Sequence, residues 1–330
     1  MAVSATSPIL DGVNTIIHAV LVDKLLSRRG NTGAWGYRTY SQYSAEATAL
    51  ATLAGWQRLD APARTAILDH WKSHQLRDGG WSSIAPLSST GNWATAIIVN
   101  TLAQVAPKHP CLPKALRSLV SAEPGEAFWL WRLKFRTIDT QVRFDPSKYG
   151  WSWVSDSVSW VIPTAGAILA LERGRRLGLI RGREVERRLA LGCSMLLDRM
   201  CPGGGWNAGN SVVYGVALAP HIDATSLALA GLRFHHHLPE VRQSFSWLLS
   251  ADCSSAYSLA CKILALQSYA DVRSDARPAM KVAQEKLAVL TQEPAEIADN
   301  STLALSILAL GGDSNVDLTF WAGLLRSPPV

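Results

Sequence analysis

The stretch PHIDATSLALAGL, residues 220–232, places a carboxyl group, Asp223, beside His221 and just ahead of a run of small and apolar residues. Two chemistries are open to it. As a carboxylate it would accept from the free amides of a helix start and face the positive end of the dipole. Held among apolar side chains, its charged form is disfavoured and the neutral acid becomes a proton donor. A cationic His221 hydrogen-bonded to it would strengthen that acid and fix its direction. Asp299, in EIADNSTLAL, repeats the arrangement without an adjacent histidine and reads as a helix cap.

Other reactive groups offer less. The five cysteines (111, 193, 201, 253, 261) are odd in number and lack CxxC spacing. Neither a disulfide framework nor a zinc ribbon is expected, and a reducing, cytoplasmic compartment fits. Asp252 and Cys253 are sequence neighbours, an awkward pair for tetrahedral zinc. His235, His236 and His237 follow an apolar phrase, where they would compensate a helix dipole. Between residues 128 and 160 aromatics interleave with Arg132, Lys134, Arg136 and Arg143. One reading is an outer helix followed by a long loop. The other is an entrance or lid whose cations hold a diphosphate or sit at lipid headgroups, with peripheral membrane contact.

The composition frames these candidates. Of 330 residues, 48% are hydrophobic and 18% charged, so the chain is globular rather than disordered. The net charge of +6 is dispersed, and its densest run, ERGRRLGLIRGREVERR (172–188), is diluted by Glu172, Glu184 and Glu186. That pattern reads as a solvated helix pair, with no nucleic-acid partner. The opening MAVSATSPILDGVNTIIHAV lacks the basic n-region of a signal peptide. Apolar runs such as WVIPTAGAILAL stop short of a membrane span.

Two phrases recur and define the elements. A hydroxyl residue heads an apolar helical run at Thr48, Thr95, Thr164, Thr225, Tyr257 and Ser301. A glycine-rich turn ending in tryptophan precedes several of these, at Trp35, Trp81, Trp151 and Trp206. Amphipathic segments such as ARTAILDHWKSHQ and EVERRLALGCSMLLDRM lie upstream of the turns. Helices apolar all round must be covered on every side, which a ring of hairpins achieves. The expected fold is therefore all-α: a single (α/α) toroid of about five to six helical hairpins with an inner ring of apolar helices. It spans 1–330 as one domain, with an N-terminal helix in 1–29, core repeats in 30–310 and a C-terminal extension in 311–330. Two residues ahead of each hydroxyl the units carry Glu46, Trp93, Ile162, Asp223, Ser255 and Asp299, so an acid there can belong to the repeat itself.

WKSHQLRDGGW (71–81), with Gln75 ahead of Gly80–Trp81, resembles the QW motif of squalene–hopene and oxidosqualene cyclases. The inner helices resemble the prenyltransferase/squalene oxidase repeat of class II terpene cyclases and protein prenyltransferase β subunits, over roughly residues 30–310. The length allows one toroid, not the two of triterpene cyclases. The resemblance implies a class II cyclase-like protein, in which the DxDDT pattern falls on His221–Ile222–Asp223–Ala224–Thr225 and only its middle acid is kept. Asp223 is then the general acid, with His221 as partner. Trp93, Trp160, Thr225, Tyr257, Asp299, Arg132 and Arg136 form the expected substrate-contacting set. Trp35, Trp81 and Trp206 are expected to clamp outer helices. Indole faces would stabilise carbocations. The zinc positions of the prenyltransferases, ahead of Tyr257–Ser258, are empty, and the GCGEQ of thioester toroids is absent. The ligand is thus an isoprenoid or another hydrophobic small molecule. No cofactor is expected, and Mg2+ only with a diphosphate substrate. Loss of two family acids keeps two alternatives open: a non-catalytic lipid-binding or partner-docking toroid, and one subunit completed by a second cyclase-type subunit.

Overall fold

The computed structural model describes residues 8–30, 33–38, 42–84, 89–138, 141–155 and 157–311, with side chains from Ile16 onward. The helices are numbered in chain order. Six are built almost entirely of buried residues: α2 (Ala45–Gly55), α4 (Asn92–Val105), α7 (Val161–Arg176), α9 (Ile222–Gly231), α11 (Ala256–Tyr269) and α13 (Asn300–Leu310). Each packs against the next, and α13 packs against α2, so the six close into a ring. Six amphipathic helices flank it: α1 (Pro8–Ser27), α3 (Ala61–Ser73), α5 (Leu112–Ser121), α8 (Arg183–Asp198), α10 (Pro239–Ser250) and α12 (Ala276–Leu290). Helix α1 packs on α13 and α2. Of the 311–330 extension, only Gly311 falls within the described residues.

The two recurring phrases turn out to be halves of one device. Trp35, Trp81, Trp151 and Trp206 are fully buried. Each indole N–H donates to a carbonyl near the end of an outer helix: Leu25 (2.9 Å), Trp71 (2.8 Å), Leu119 (2.8 Å) and Leu196 (2.6 Å). Each tryptophan's backbone N–H donates to the hydroxyl of Thr48, Thr95, Thr164 or Thr225 on the following inner helix, at 2.8–3.1 Å. One residue therefore ties outer helix, turn and inner helix together. In the fourth turn Gly205 has φ +77, and a Cβ there would stand 2.9 Å from Pro220 Cβ and from Thr225 Oγ1, so only glycine fits.

Neighbouring units are stitched by backbone. The free N–H groups at inner-helix starts find carbonyls two residues past the next unit's tryptophan: Ala45 donates to Ser83, Asn92 to Trp153 and Val161 to Ala208. Asn300 donates to Tyr37 and closes the ring. In the fifth unit no such tryptophan is used; Lys262 Nζ instead donates to the carbonyls of Leu249 (3.1 Å) and Ala251 (2.7 Å) at the end of α10.

Two expectations need correction. EAFWLWRLKF is not an outer helix. Its core is α6 (Trp129–Thr137), a short helix without a buried residue, in the connection from α5 to α7. The chain also forms a small hairpin, β1 (Val212–Val213) with β2 (Val216–Ala217), where no strand was expected. Tyr214 and Gly215 adopt φ values of +51 and +76 at its turn. Tyrosine rarely takes that conformation, so the usual Asn–Gly cue is missing.

Candidate functional site

Because α2, α4, α7, α9, α11 and α13 all start at the same end of the ring, equivalent positions on them converge. The second helical residue of each is Glu46, Trp93, Ile162, Asp223, Tyr257 and Ser301; four residues on, the same face carries Leu50, Ile97, Gly166, Leu227, Cys261 and Leu305. Ten of these twelve, all but Gly166 and Ser301, line one narrow cavity, with about 30 Å³ of enclosed space inside about 390 Å³ counted out to open solvent. Gly166 is absent from the wall for a reason: the Trp93 ring occupies its place, and a Cβ on Gly166 would stand 2.7 Å from Trp93 Cζ3. The wall is aliphatic apart from Trp93, Tyr257, Cys261 and two carboxyl groups, Glu46 and Asp223.

Glu46, at the equivalent repeat position to Asp223, is the second carboxyl group of this wall. Its Oε2 accepts the Trp93 indole N–H at 2.7 Å. Burial pushes its carboxyl above the ordinary glutamate range; Trp93 and Ser301 pull the other way, and the charge of Asp299 adds to the rise. A cue existed in the shared slot of Glu46 and Asp223, but which slot faces the axis is a tertiary property. The same register corrects the last two units. Tyr257 and Ser301, not Ser255 and Asp299, stand in the Asp223 slot. Ser255 and Asp299 are the N-cap residues of their helices.

The remaining expected site residues fall in different places. Asp223 is half-buried on the cavity wall, and among the described residues it accepts no hydrogen bond. His221 is the N-cap residue of α9, exposed, and outside the wall. Thr225 is fully buried and bonded both ways to the Trp206 backbone, so it cannot reach a substrate. Trp160 is the N-cap residue of α7 and packs over Gly209, where a Cβ would stand 3.0 Å from the ring; it is not in the wall. Asp299 caps α13, accepting from Thr302 N–H (2.8 Å) and the Thr302 hydroxyl (2.7 Å). Arg132 is consumed by structure: it donates to the carbonyls of Glu126 (2.6 Å) and Ala127 (2.8 Å), with its guanidinium over Tyr149. Arg136 is exposed near the end of α6.

A second, polar space, termed the vestibule, shares the lining residue Tyr257 with the cavity and measures about 640 Å³ including open solvent. Tyr37, Ser255, Glu296, Asp299 and Thr302 border it. Among the described residues lining either space there is no lysine, arginine or histidine. Two arginines act from outside the lining. Arg28 is held by the carbonyls of Ile297 and Ala298 and by Asn300 Oδ1, and the charge of Arg38 reaches Tyr37. Among the described residues no group of three or more His, Cys, Asp or Glu side chains is placed to hold a metal ion.

Ring and chamber define an all-α toroid with an axial, carboxyl-bearing apolar cavity, and solved structures share this architecture. The type II terpene cyclase MstE from Scytonema matches with a TM-score of 0.57 at 15% identity, over 91% of this chain and 98% of that one. An arginine-to-alanine variant of MstE, in complex with geranylgeranyl dihydroxybenzoate as substrate, matches at 0.58 and 15% identity, over 96% and 99%. An α-amylase from Clostridium perfringens matches at 0.59 and 10% identity, over 89% and 97%. No protein-family model and no curated protein sequence matches the chain. At these identities the likeness is one of fold.

Proposed function

We propose that this chain is a class II-type cyclase that protonates an uncharged isoprenoid in the axial chamber and closes its chain into rings. The chamber wall carries the reading: aliphatic residues from all six inner helices, an indole, a phenol and two carboxyl groups. Such a wall binds hydrocarbon, holds a carboxyl group neutral by burial, and offers a developing carbocation π faces rather than water. A glycosidase, the reaction class of the amylase neighbour, needs a wall rich in hydrogen-bonding groups for its sugar, and this wall is aliphatic. The likeness to a toroid whose solved complex holds geranylgeranyl dihydroxybenzoate supports the isoprenoid class. The enclosed space is about 30 Å³, far below the several hundred Å³ of a ligand site. The wall side chains must therefore move apart as the reacting end of the chain enters, and the polar space beside Tyr257 takes the head.

The lining charge selects the head. Glu296 and Asp299 border this space and among the described residues no cation lines it, Arg28 and Arg38 standing behind the wall, so an alcohol or phenol head is favoured over a diphosphate. No metal is then required. Incubation with geranylgeraniol, farnesol and squalene, each beside geranylgeranyl diphosphate, tests this by mass spectrometry. The expected result is a cyclised isomer from a neutral substrate, unaffected by EDTA and lost in a double E46Q/D223N variant. Unchanged ligand recovered from every incubation would make the protein a carrier instead. Turnover of the diphosphate alone would refute the charge argument.

We further propose that the face holding the mouth meets lipid. No helix among the described residues is long and apolar enough to cross a membrane. Helix α6 nevertheless exposes Trp129 (68%), Leu130 (59%) and Leu133 (50%) beside the exposed cations Lys134 and Arg136. Apolar side chains interleaved with cations suit an anionic interface. Co-sedimentation with phosphatidylglycerol vesicles, absent with pure phosphatidylcholine and lost in L130E, is the expected outcome; equal binding to both, or none, would discard the proposal.

A further inference from the structure

The geometry points to Glu46, rather than Asp223, as the proton donor of the chamber, with Trp93 as the residue that positions it; this rests on the cyclase reading above. Glu46 stands at the head of α2, and its Oε2 is fixed at 2.7 Å from the Trp93 indole nitrogen. The Trp93 ring is itself seated in the space left by Gly166 on the next helix. A donor must be held still and aimed. Glu46 is anchored in this way through two neighbouring helices, whereas Asp223 accepts no hydrogen bond among the described residues.

The electrostatics agree with the geometry. Burial and the charge of Asp299, at the head of α13, favour the neutral acid of Glu46. Glu46 and Asp223 of α9 both act on Tyr257 and Cys261 of α11, and Tyr37 feels Asp299, Glu46 and the cation of Arg38. The indole N–H favours the carboxylate that forms as the proton leaves.

In the step assigned to Glu46, its O–H bond breaks while the π pair of an alkene forms a C–H bond to that proton. A carboxylate and a tertiary carbocation remain. Ring closure consumes further alkenes. A proton then leaves a carbon beside the last cationic centre for water in the vestibule, and solvent reprotonates Glu46. The product is an isomer of the substrate, and no oxidant or reductant takes part.

The test combines turnover with a direct view of the proton, using the whole chain with neutral geranylgeraniol. E46Q is expected to lose activity by about 10²–10⁴-fold, the usual share of a general acid, with partial recovery in E46D. In wild type, activity should fall as pH rises through the raised Glu46 pKa. W93F, which removes a group favouring the carboxylate, should move that falling limb to higher pH; a merely structural Trp93 would leave it in place. Infrared difference spectra at neutral pH should show a protonated carboxyl stretch in wild type and D223N that is missing in E46Q. This readout needs no turnover, and E46D, which keeps a carboxyl at the same site and should retain the band, controls for folding, so failure of the cyclase reading and of the Glu46 assignment remain distinguishable. E46Q with wild-type turnover, or a carboxyl band that survives E46Q and vanishes in D223N, would overturn the assignment.

Discussion

Replacing Trp206 with alanine is expected to cost about 3–5 kcal/mol of folding stability, the range for truncating a buried tryptophan. The indole is fully buried and its N–H donates to the Leu196 carbonyl at 2.6 Å. Truncation leaves a cavity between α8 and α9 and removes one of the two donors to the Leu196 carbonyl, which keeps the Arg199 N–H at 3.2 Å. A urea titration should show a lower midpoint with an unchanged slope. Trp129→Ala, at a site 68% exposed, should stay within about 0.5 kcal/mol of wild type. Comparable losses at both positions would mean that the Gly–Trp turns do not clamp the hairpins.

Thr225→Val should also destabilise strongly, although the two side chains match in shape. The Thr225 hydroxyl accepts from the Trp206 N–H (2.8 Å) and donates to the Trp206 carbonyl (3.1 Å), all out of contact with water. Valine leaves the Trp206 N–H unpaired, at about 1–3 kcal/mol, while the Trp206 carbonyl keeps the His221 backbone N–H at 2.8 Å. Serine at 225 restores the hydroxyl and should recover most of the loss. Chemical denaturation of the three proteins measures the effect. An unchanged midpoint in Thr225→Val, with weakened substrate binding instead, would return Thr225 to the ligand-contacting role that its motif position suggested.

Both variants touch motifs visible in the sequence, and they mark how far reading it reaches. Helices apolar all round, joined by glycine turns and tryptophans, specify a closed double layer of helices, because no open arrangement covers both faces of the inner set. The alternation of outer and inner helices was legible for the same reason: amphipathicity and turn chemistry act within about fifteen residues. The short hairpin was not, since Tyr214 takes a left-handed conformation only because its surroundings impose it.

The site divides along the same line. Asp223 and Trp93 were singled out from their places at inner-helix heads, and both do line the chamber. Thr225 carried an equally strong motif signal, but its hydroxyl turns back into its own repeat. Trp160 and His221 sit two positions too early to face the axis. Glu46 and Asp223 are 177 positions apart in the chain, and only closure of the ring sets them in one wall. The sequence by itself determined the repeating unit, its clamps and its apolar inner layer, because those depend on local spacing and backbone geometry. Which carboxyl faces the axis, and which is held by an indole from the neighbouring helix, was decided by tertiary structure alone, because that depends on the rotation of each helix against partners far away in the chain.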